Sequence, residues 1–210
     1  MLKDLHTLTP YLDFIRTCNA DPDYRDPMLL TQQQLHRNLL DAPENPNTRV
    51  FGTFEGETLT GVFALLVLED ERYLELLAGL SRSAAAYAEL LSHLKSAHPG
   101  YQADFVYNPR NRLLQEALAA LGAEFEPEQQ KLVLCRAVPY VPDARIVPYR
   151  PEYRAQYLAL HTMDRYWTGE KVLAAPEVFR VLLALEAGEA AGYIDLTHNS
   201  AENEPYDLFV

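Results

Sequence analysis

The sequence repeats itself at a fixed spacing of 131 residues, from Arg49 to Arg180. The stretch Arg49–Leu65 (RVFGTFEGETLTGVFAL) can be laid without a gap on Arg180–Leu196 (RVLLALEAGEAAGYIDL). Most aligned pairs keep their polarity, and the identical pairs are Arg49/Arg180, Val50/Val181, Glu55/Glu186, Gly61/Gly192 and Leu65/Leu196. Each copy reads as a strand, a tight turn with glutamate and glycine, and a second strand, which is typical of a β-hairpin.

The surroundings of the two hairpins favour a duplication. Helical spacing precedes both copies, at 31–40 and at 176–183, and a further strand pattern follows both, at 73–78 and at 206–210. The alternative is a chance similarity, because hairpins share turn chemistry. The predicted domains are residues 1–136 and 145–210, and they are joined by a proline-containing linker at 137–144.

The first half alternates between helix and strand patterns around its hairpin. The other predicted elements are helices at 8–19, 31–40, 83–97 and 110–121 and strands at 73–78, 101–107 and 128–135. A strand, a helix and a strand in succession require a right-handed crossover and a parallel pair, whereas the hairpin is antiparallel. The sequence therefore predicts an α/β (α+β) fold with a mixed, mostly antiparallel sheet flanked by helices, present in duplicate.

The second half is shorter and ends with the strand pattern at 206–210. A strand at 145–149, a helix at 152–163, the hairpin and the strand at 206–210 account for it. Two alternatives stay open: the native chain continues beyond Val210, or the second half completes its sheet in another way.

The composition excludes several classes of function. A formal net charge of −12 opposes phosphate backbones and anionic membranes, so we expect no nucleic acid and no membrane as partner. The longest clean apolar run, Val62–Leu68, is far shorter than the roughly 20 residues of a membrane-spanning helix. Neither Cys18 and Cys135 nor the histidines show metal-ligand spacing, so no metal site is predicted. With no secretory signal at the start, we expect a cytoplasmic protein.

One local stretch points to a family. Asn108 and Asn111 lead into a helical segment that ends Leu121-Gly122 and is followed by Phe125. Together with the element order, this stretch resembles the GNAT superfamily of N-acetyltransferases in tandem arrangement, with 1–136 as a nearly whole unit and 145–210 as the front of another. The resemblance implies acetyl-CoA (an acyl-CoA) as cosubstrate and direct transfer of the acyl group to a small-molecule amine, without a metal.

The resemblance also implies a cofactor loop. In this family the diphosphate of acetyl-CoA lies on a loop written V-x-P-x-x-[R/Q]-G-x-G-[I/L]-[G/A], which falls on residues 77–87. Here the basic position is kept as Arg82, and the three glycine positions hold Ser83, Ala85 and Tyr87. Helix N-terminal amides bind phosphate through unpaired N–H groups and the helix dipole. The implied cofactor-binding residues are Leu77, Gly79, Arg82, Ser83, Ala84, Ala85, Asn108 and Asn111.

The resemblance also implies catalytic groups, namely a base and an acid. Glu75 is the candidate base, since a partly buried carboxylate can accept the proton of the amine, although a solvent-facing strand glutamate is the alternative. The family's acid tyrosine falls on Leu118, so Tyr107 or Tyr101 would have to replace it. In a longer chain, Asp164, Tyr166 and Trp167 could line an acceptor cleft, whereas the alternative for Trp167 is a half-buried packing residue.

A second function class fits the same residues. The altered glycine positions and the missing tyrosine are also what a non-catalytic GNAT-like binding or interaction module would show. The strand pattern at 206–210 would then offer an edge that pairs with a second copy of the chain, giving a homodimer.

Overall fold

The computed structural model describes residues 1–128, 139, 141–162, 166–197 and 205–209. The chain divides into two compact units, Met1–Lys131 and Leu132–Val210. The predicted boundaries, with a linker at 137–144, stay predictions, because residues 129–138 and 140 lie outside the described part. Cys135 lies in that gap, and so does the strand predicted at 128–135 except for its first residue.

The first unit is built on a mixed sheet with the strand order β1-β2-β3-β4-β5 among its described residues. The strands are β1 (Leu2–Asp4), β2 (Thr48–Glu55), β3 (Thr58–Leu68), β4 (Tyr73–Ser81) and β5 (Gln102–Phe105). The helices are α1 (Leu12–Ala20), α2 (Gln32–Leu35, continued by a π-helical turn His36–Leu40), α3 (Ala84–Ala97) and α4 (Arg112–Ala120). Short 3₁₀ turns precede α1 at Thr9–Tyr11 and follow the π-helical turn at Ala42–Glu44.

The direction of the strands follows the prediction. Each of the strands β1 to β3 pairs antiparallel with the next strand along the chain. Strand β4 pairs with β5 in parallel, from Tyr73 opposite Gln102 to Leu76 opposite Phe105. Helix α3 makes the crossover between β4 and β5. The mixed, mostly antiparallel sheet flanked by helices is therefore confirmed.

Alternation along the long strand β3 places apolar side chains on both faces of the sheet. Val62 and Ala64 belong to the core beneath α1 and α2, whereas Phe63 and Leu65 belong to the core beneath α3 and α4. All four are fully buried. A strand that is apolar on both faces is expected where helices cover both sides of a sheet.

The second unit repeats the first in its strand pairing. Its elements are β6 (Ile146–Pro148), α5 (Arg154–Leu160), α6 (Gly169–Ala174), β7 (Phe179–Glu186), β8 (Glu189–Thr197) and β9 (Pro205–Phe209). Every described residue pair of the first hairpin recurs 131 residues later. For example, Thr48 lies opposite Leu66 in the first hairpin, and Phe179 lies opposite Thr197 in the second. Both hairpins also carry a register shift at the equivalent place, after Thr53 and after Ala184. The two hairpins therefore share one register, as the predicted duplication requires.

Three expectations need correction. The helix predicted at 176–183 is wrong, because α6 ends at Ala174 and Phe179 already begins β7. Buried residues of β7 alternate with exposed or half-buried ones. A strand that pairs with both β6 and β8 therefore accounts for the apolar pattern that the sequence analysis assigned to a helix. The sequence reading also missed β1, which is only three residues long, and α6.

Thr31 caps α2, at the start of the helix predicted over 31–40. Its hydroxyl accepts a hydrogen bond from the Gln34 backbone N–H at 3.1 Å, and the Gln34 side chain accepts from the Thr31 N–H at 3.2 Å. This reciprocal capping box fixes the start of α2. Within the part of the chain that the structure describes, no helix is long and apolar enough to cross a membrane.

Candidate functional site

Strands β4 and β5 separate halfway along β4. The parallel pairing ends at Leu76 and Phe105, while β4 continues to Ser81 paired with β3. A β-bulge at Leu77 marks the separation, since Leu76 pairs with Leu65 and Ala78 already pairs with Ala64. Bulges twist a strand and commonly lie where pairing ends. The open edge of β4, residues 77–81, therefore forms the first part of the predicted cofactor loop at 77–87.

Helix α3 begins immediately after this open edge. Ser83 caps it, because the Ser83 hydroxyl accepts from the Ala86 N–H at 3.3 Å, while the Ser83 N–H donates to the Ser81 hydroxyl at 3.0 Å. Ala84 and Ala85 are exposed in the first turn. The first backbone N–H groups of a helix have no partner inside the helix, so this turn can receive an anion.

Tyr87, at the third glycine position of the family pattern, is fully buried. Its hydroxyl donates to the Ser81 carbonyl at 3.1 Å and accepts from the Asn111 side-chain amide at 2.8 Å. Burial raises the pKa of this phenol. The Asn111 side-chain oxygen caps α4 by accepting from the Leu114 N–H at 3.2 Å. Tyr87 and Asn111 therefore tie β4, α3 and α4 together, and both polar ends of the Asn111 side chain are used.

The segment Asp21–Met28, which we call the acidic segment, reaches the open edge of β4. Asp26 is 4% exposed, and one of its carboxylate oxygens accepts from the Gly79 backbone N–H at 2.7 Å. Its other oxygen accepts from the Met28 N–H at 2.7 Å. Burial raises the pKa of Asp26 to about 7, against the opposing effect of these two hydrogen bonds. The Gly79 amide is thus already bound within the protein.

Arg82 and Asn108 also contact the acidic segment. The Arg82 guanidinium lies 2.9 Å from the Asp21 carboxylate and donates to the Thr17 carbonyl at 3.0 Å, although 43% of its side chain stays exposed. The Asn108 side-chain amide donates to the Pro22 carbonyl at 2.8 Å. The predicted cofactor residues are therefore brought together around one place, and three of them are held by this segment.

Glu75 lies in the paired part of β4, opposite Leu66 on β3 and Asp104 on β5. It is half-buried, and its pKa is raised first by burial and then by the charge of Asp104, while a hydrogen bond from Tyr73 opposes the shift. The Tyr73 hydroxyl donates to Asp104 at 3.1 Å. Glu75 is therefore a half-buried carboxyl group with a raised pKa, and its role as the base stays a prediction.

Leu118, at the position of the family's acid tyrosine, and its two possible replacements, Tyr101 and Tyr107, differ in burial. Leu118 is buried in the core beneath α3 and α4, whereas Tyr101 and Tyr107 are half-buried at the two ends of β5. Burial raises the pKa of Tyr107. Tyr107 is the one of the two that follows β5, at the end where β4 and β5 separate.

The structure brings together a cluster in the second unit that sequence reasoning missed. His161 Nε2 lies 3.2 Å from Asp195 and 3.7 Å from Asp207, and the Tyr157 hydroxyl donates to Asp195 at 2.9 Å. The Tyr193 hydroxyl donates to Asp207 at 2.6 Å. The His161 and Asp195 side chains are 1% and 0% exposed. Burial raises the pKa of Asp195 to about 6, opposed by the hydrogen bond from Tyr157 and the charge of His161.

The donor atoms of His161, Asp195 and Asp207 lie within 4.8 Å of one another, a spacing at which all three can ligate one cation. The prediction that no histidine takes part in such a group overlooked this, because the residues are far apart in sequence. One signal was present: Asp195 aligns with Ala64 in the repeat, which replaces an apolar residue by a charged one. Asp164 lies outside the described residues, while Trp167 is half-buried and packs edge-on against Phe179 at 4.9 Å.

Comparison with known proteins gives distant structural neighbours. No protein-family model matches the sequence, and no curated protein matches it. The solved structure of a tandem GNAT protein from the clavulanic acid biosynthesis pathway, without AcCoA, aligns over 100% of this chain and 78% of its own at 13% identity and a TM-score of 0.43. Wild-type TTHA1254 from Thermus thermophilus aligns over 46% of this chain and 76% of its own, at 20% identity and a TM-score of 0.35. A point mutant of the same protein gives 21% identity and a TM-score of 0.34 over the same shares.

Proposed function

We propose that the chain is an acyl-CoA-dependent N-acyltransferase that uses acetyl-CoA as acyl donor and transfers the acyl group directly to a small amine. The observation that supports this most is the arrangement of the first unit at Leu76. There β4 leaves β5, and the freed strand runs straight into the capped N-terminus of α3. A strand edge and a helix N-terminus side by side supply hydrogen-bond donors for an amide-containing linker and for a diphosphate.

Each group has a role in this proposal. The N–H groups of Ala84 and Ala85, with the Arg82 guanidinium, receive the diphosphate, and hydrogen bonds to a charged acceptor contribute about 1.5–3 kcal/mol each. Glu75 takes the proton of the amine through water. The amine nitrogen then attacks the thioester carbonyl, the C–N bond forms, the C–S bond breaks, and the thiolate receives a proton from Tyr107.

A second function is favoured by a specific observation. The Gly79 N–H, Arg82 and Asn108 already have partners in the acidic segment. This is what a non-catalytic module that has lost its ligand would show. In that case an exposed strand edge is the candidate interaction surface: Leu208 and Phe209 on β9 are 60% and 41% exposed, and pairing of this strand with a second copy stays a prediction.

Binding of acetyl-CoA tests the first proposal against the second. Ligand at about 100 times its dissociation constant stabilises a folded protein by about 2.7 kcal/mol, which a thermal-shift assay detects. We expect a shift with the wild type and a dissociation constant about tenfold weaker for Arg82→Gln, the cost of about one hydrogen bond to a charged group. Arg16→Gln is the matched control, because Arg16 is 71% exposed on α1 and contacts Asp13 at 3.8 Å.

Activity is then measured by thiol release from acetyl-CoA with a panel of small amines. Glu75→Gln should lower kcat at neutral pH while the dissociation constant of acetyl-CoA stays unchanged, because glutamine cannot accept the proton. Absence of both a thermal shift and acetyl-CoA binding by calorimetry would refute the transferase proposal and leave the non-catalytic module.

A further inference from the structure

We infer that the acidic segment is a built-in competitor of acyl-CoA: it occupies the open edge of β4 and the start of α3, so acyl-CoA binds only after the segment leaves. This inference rests on the proposed function. Its basis is that the segment uses chemistry like that of the proposed ligand, namely oxygen acceptors and negative charge, on the same donors.

The first contact lies at the strand edge. The Asp26 carboxylate accepts the Gly79 N–H that β5 leaves unpaired, at 2.7 Å, in a buried position. An amide carbonyl of a ligand lying along this edge would need the same N–H group. Two acceptors cannot both take that N–H at full strength, so this contact excludes the ligand while it lasts.

The second contact lies at the start of α3. Asp21 pairs with Arg82 at 2.9 Å, and the guanidinium faces the ring of Tyr24 at 5.9 Å. The Asp21 carboxylate therefore takes the place of a phosphate oxygen on the basic residue of the loop. Arginine binds carboxylate and phosphate in the same way, through its planar set of N–H donors.

The third contact lies at the start of α4. Asn108 donates to the Pro22 carbonyl at 2.8 Å, and Arg110 lies 3.9 Å from Asp23. With Asp21 and Asp26, this aspartate places a third carboxyl group in the same segment. A diphosphate arriving at α3 would meet the negative charge of Asp21 and Asp23, so its binding favours the state in which the segment has moved away.

The ends of the segment are fixed, which makes it suited to open and close repeatedly. The Asp21 N–H donates to the Cys18 carbonyl in the last turn of α1 at 3.2 Å, and Asn38 donates to the Met28 carbonyl at 2.8 Å. Asn38 belongs to the π-helical turn after α2. Between these two anchors Pro22, Asp23 and Arg25 are exposed. The segment thus stays next to the cleft whether it covers the cleft or not.

The test compares acetyl-CoA binding by calorimetry in the wild type, Asp26→Ala and Asp21→Asn. At pH 8, above the pKa of about 7 that burial gives Asp26, removing one contact to a charged group should tighten the apparent dissociation constant about tenfold or more, because a larger fraction of the protein is open. Asp21→Asn keeps the buried Asp26 contact, so it remains informative where Asp26→Ala fails to fold. Asp13→Asn is the matched control: it removes the same charge from the exposed first turn of α1.

Trypsin cleavage after Arg25 reports the position of the segment directly, because Arg25 lies in the middle of it. We expect acetyl-CoA to accelerate this cleavage in the wild type. Dissociation constants equal to that of the wild type in both variants, or slower cleavage with acetyl-CoA, would overturn the inference while the transferase proposal stands. Fast cleavage in the variants without any acetyl-CoA binding would refute both.

Discussion

Asp26 makes the stability of the first unit depend on pH in a defined direction. Its pKa is raised from 3.8 to about 7, because burial penalises the carboxylate more than the hydrogen bonds from Gly79 and Met28 favour it. The folded state therefore holds a proton on Asp26 between about pH 4 and pH 7, whereas the unfolded chain does not. Stability from this group is fully present below pH 3.8 and is lost as the pH rises through about 7.

The magnitude follows from the two pKa values. At 1.36 kcal/mol per pKa unit, the interval from 3.8 to about 7 corresponds to about 4 kcal/mol. Asp26→Asn removes the titration, and its side-chain carbonyl can still accept the Gly79 N–H. The free energy of unfolding of the variant, relative to that of the wild type, should therefore rise by up to about 4 kcal/mol between pH 4 and pH 8. Any fixed cost of the substitution is the same at every pH and does not enter this difference.

The assay must report on the first unit alone. Trp167, the single tryptophan, lies in the second unit, so its fluorescence is unsuited to this measurement. Urea titrations followed by hydrogen exchange of β3 and β4 peptides measure the correct unit. The titratable neighbours Tyr87 and Cys18 have pKa values raised by burial from 10.0 and 9.0, above this pH interval. Parallel pH curves for the wild type and Asp26→Asn would refute this account of Asp26.

Three further substitutions test other parts of the structure. Tyr87→Phe should destabilise the first unit by about 1–3 kcal/mol, because it removes a buried hydroxyl that bonds Ser81 and Asn111; the same peptides report it. Ser83→Ala should cost about 1 kcal/mol through loss of the α3 N-cap, seen as faster exchange in the first turn of α3 but not of α4. Tyr157→Phe should destabilise the second unit by about 1–3 kcal/mol in urea titrations followed by tryptophan fluorescence, because Asp195 loses a donor. An unchanged urea midpoint would contradict the role given to that donor.

Much of the fold could be predicted from local patterns. The hairpin at 49–65 and its copy were readable because turn chemistry and alternation act between neighbours in sequence. The predicted helix starts at 31 and 83 are also close to the observed ones, since Thr31 and Ser83 each cap a helix by bonding to an amide within the next turn. Strand β1 was missed because three residues carry too little alternation to define a strand, and its partner β2 lies more than 40 residues away.

The candidate site was predictable only in part. Gly79, Arg82 and Asn108 were predicted as cofactor-binding residues from the family resemblance, and that role stays a prediction. The acidic segment could not be assigned to them, since Asp26 and Gly79 are 53 residues apart and no local pattern links them. Loop contacts of this kind depend on the tertiary fold, and they decide here whether the predicted groups face solvent or the protein itself.

The residue pair beside the β-bulge is apolar in the first unit and charged in the second. In the first, Ala64 lies opposite Ala78 beside the β-bulge, and both pack in the apolar core with Ile15 of α1. In the second, Asp195 lies opposite Asp207 beside the equivalent bulge.

In the first unit, apolar packing therefore joins helix and sheet at this place. In the second, α5 supplies the Tyr157 hydroxyl to Asp195, and His161 directly after α5 supplies its ring nitrogen. Removing one member of a buried polar group leaves the others without a partner, whereas removing all of them together does not. Asp195→Ala alone should therefore cost more stability than Asp195→Ala combined with Tyr157→Phe and His161→Leu, a comparison that tryptophan fluorescence in urea can make. A triple variant less stable than the single one would show that the cluster stabilises this unit by more than mutual satisfaction of its own polar groups.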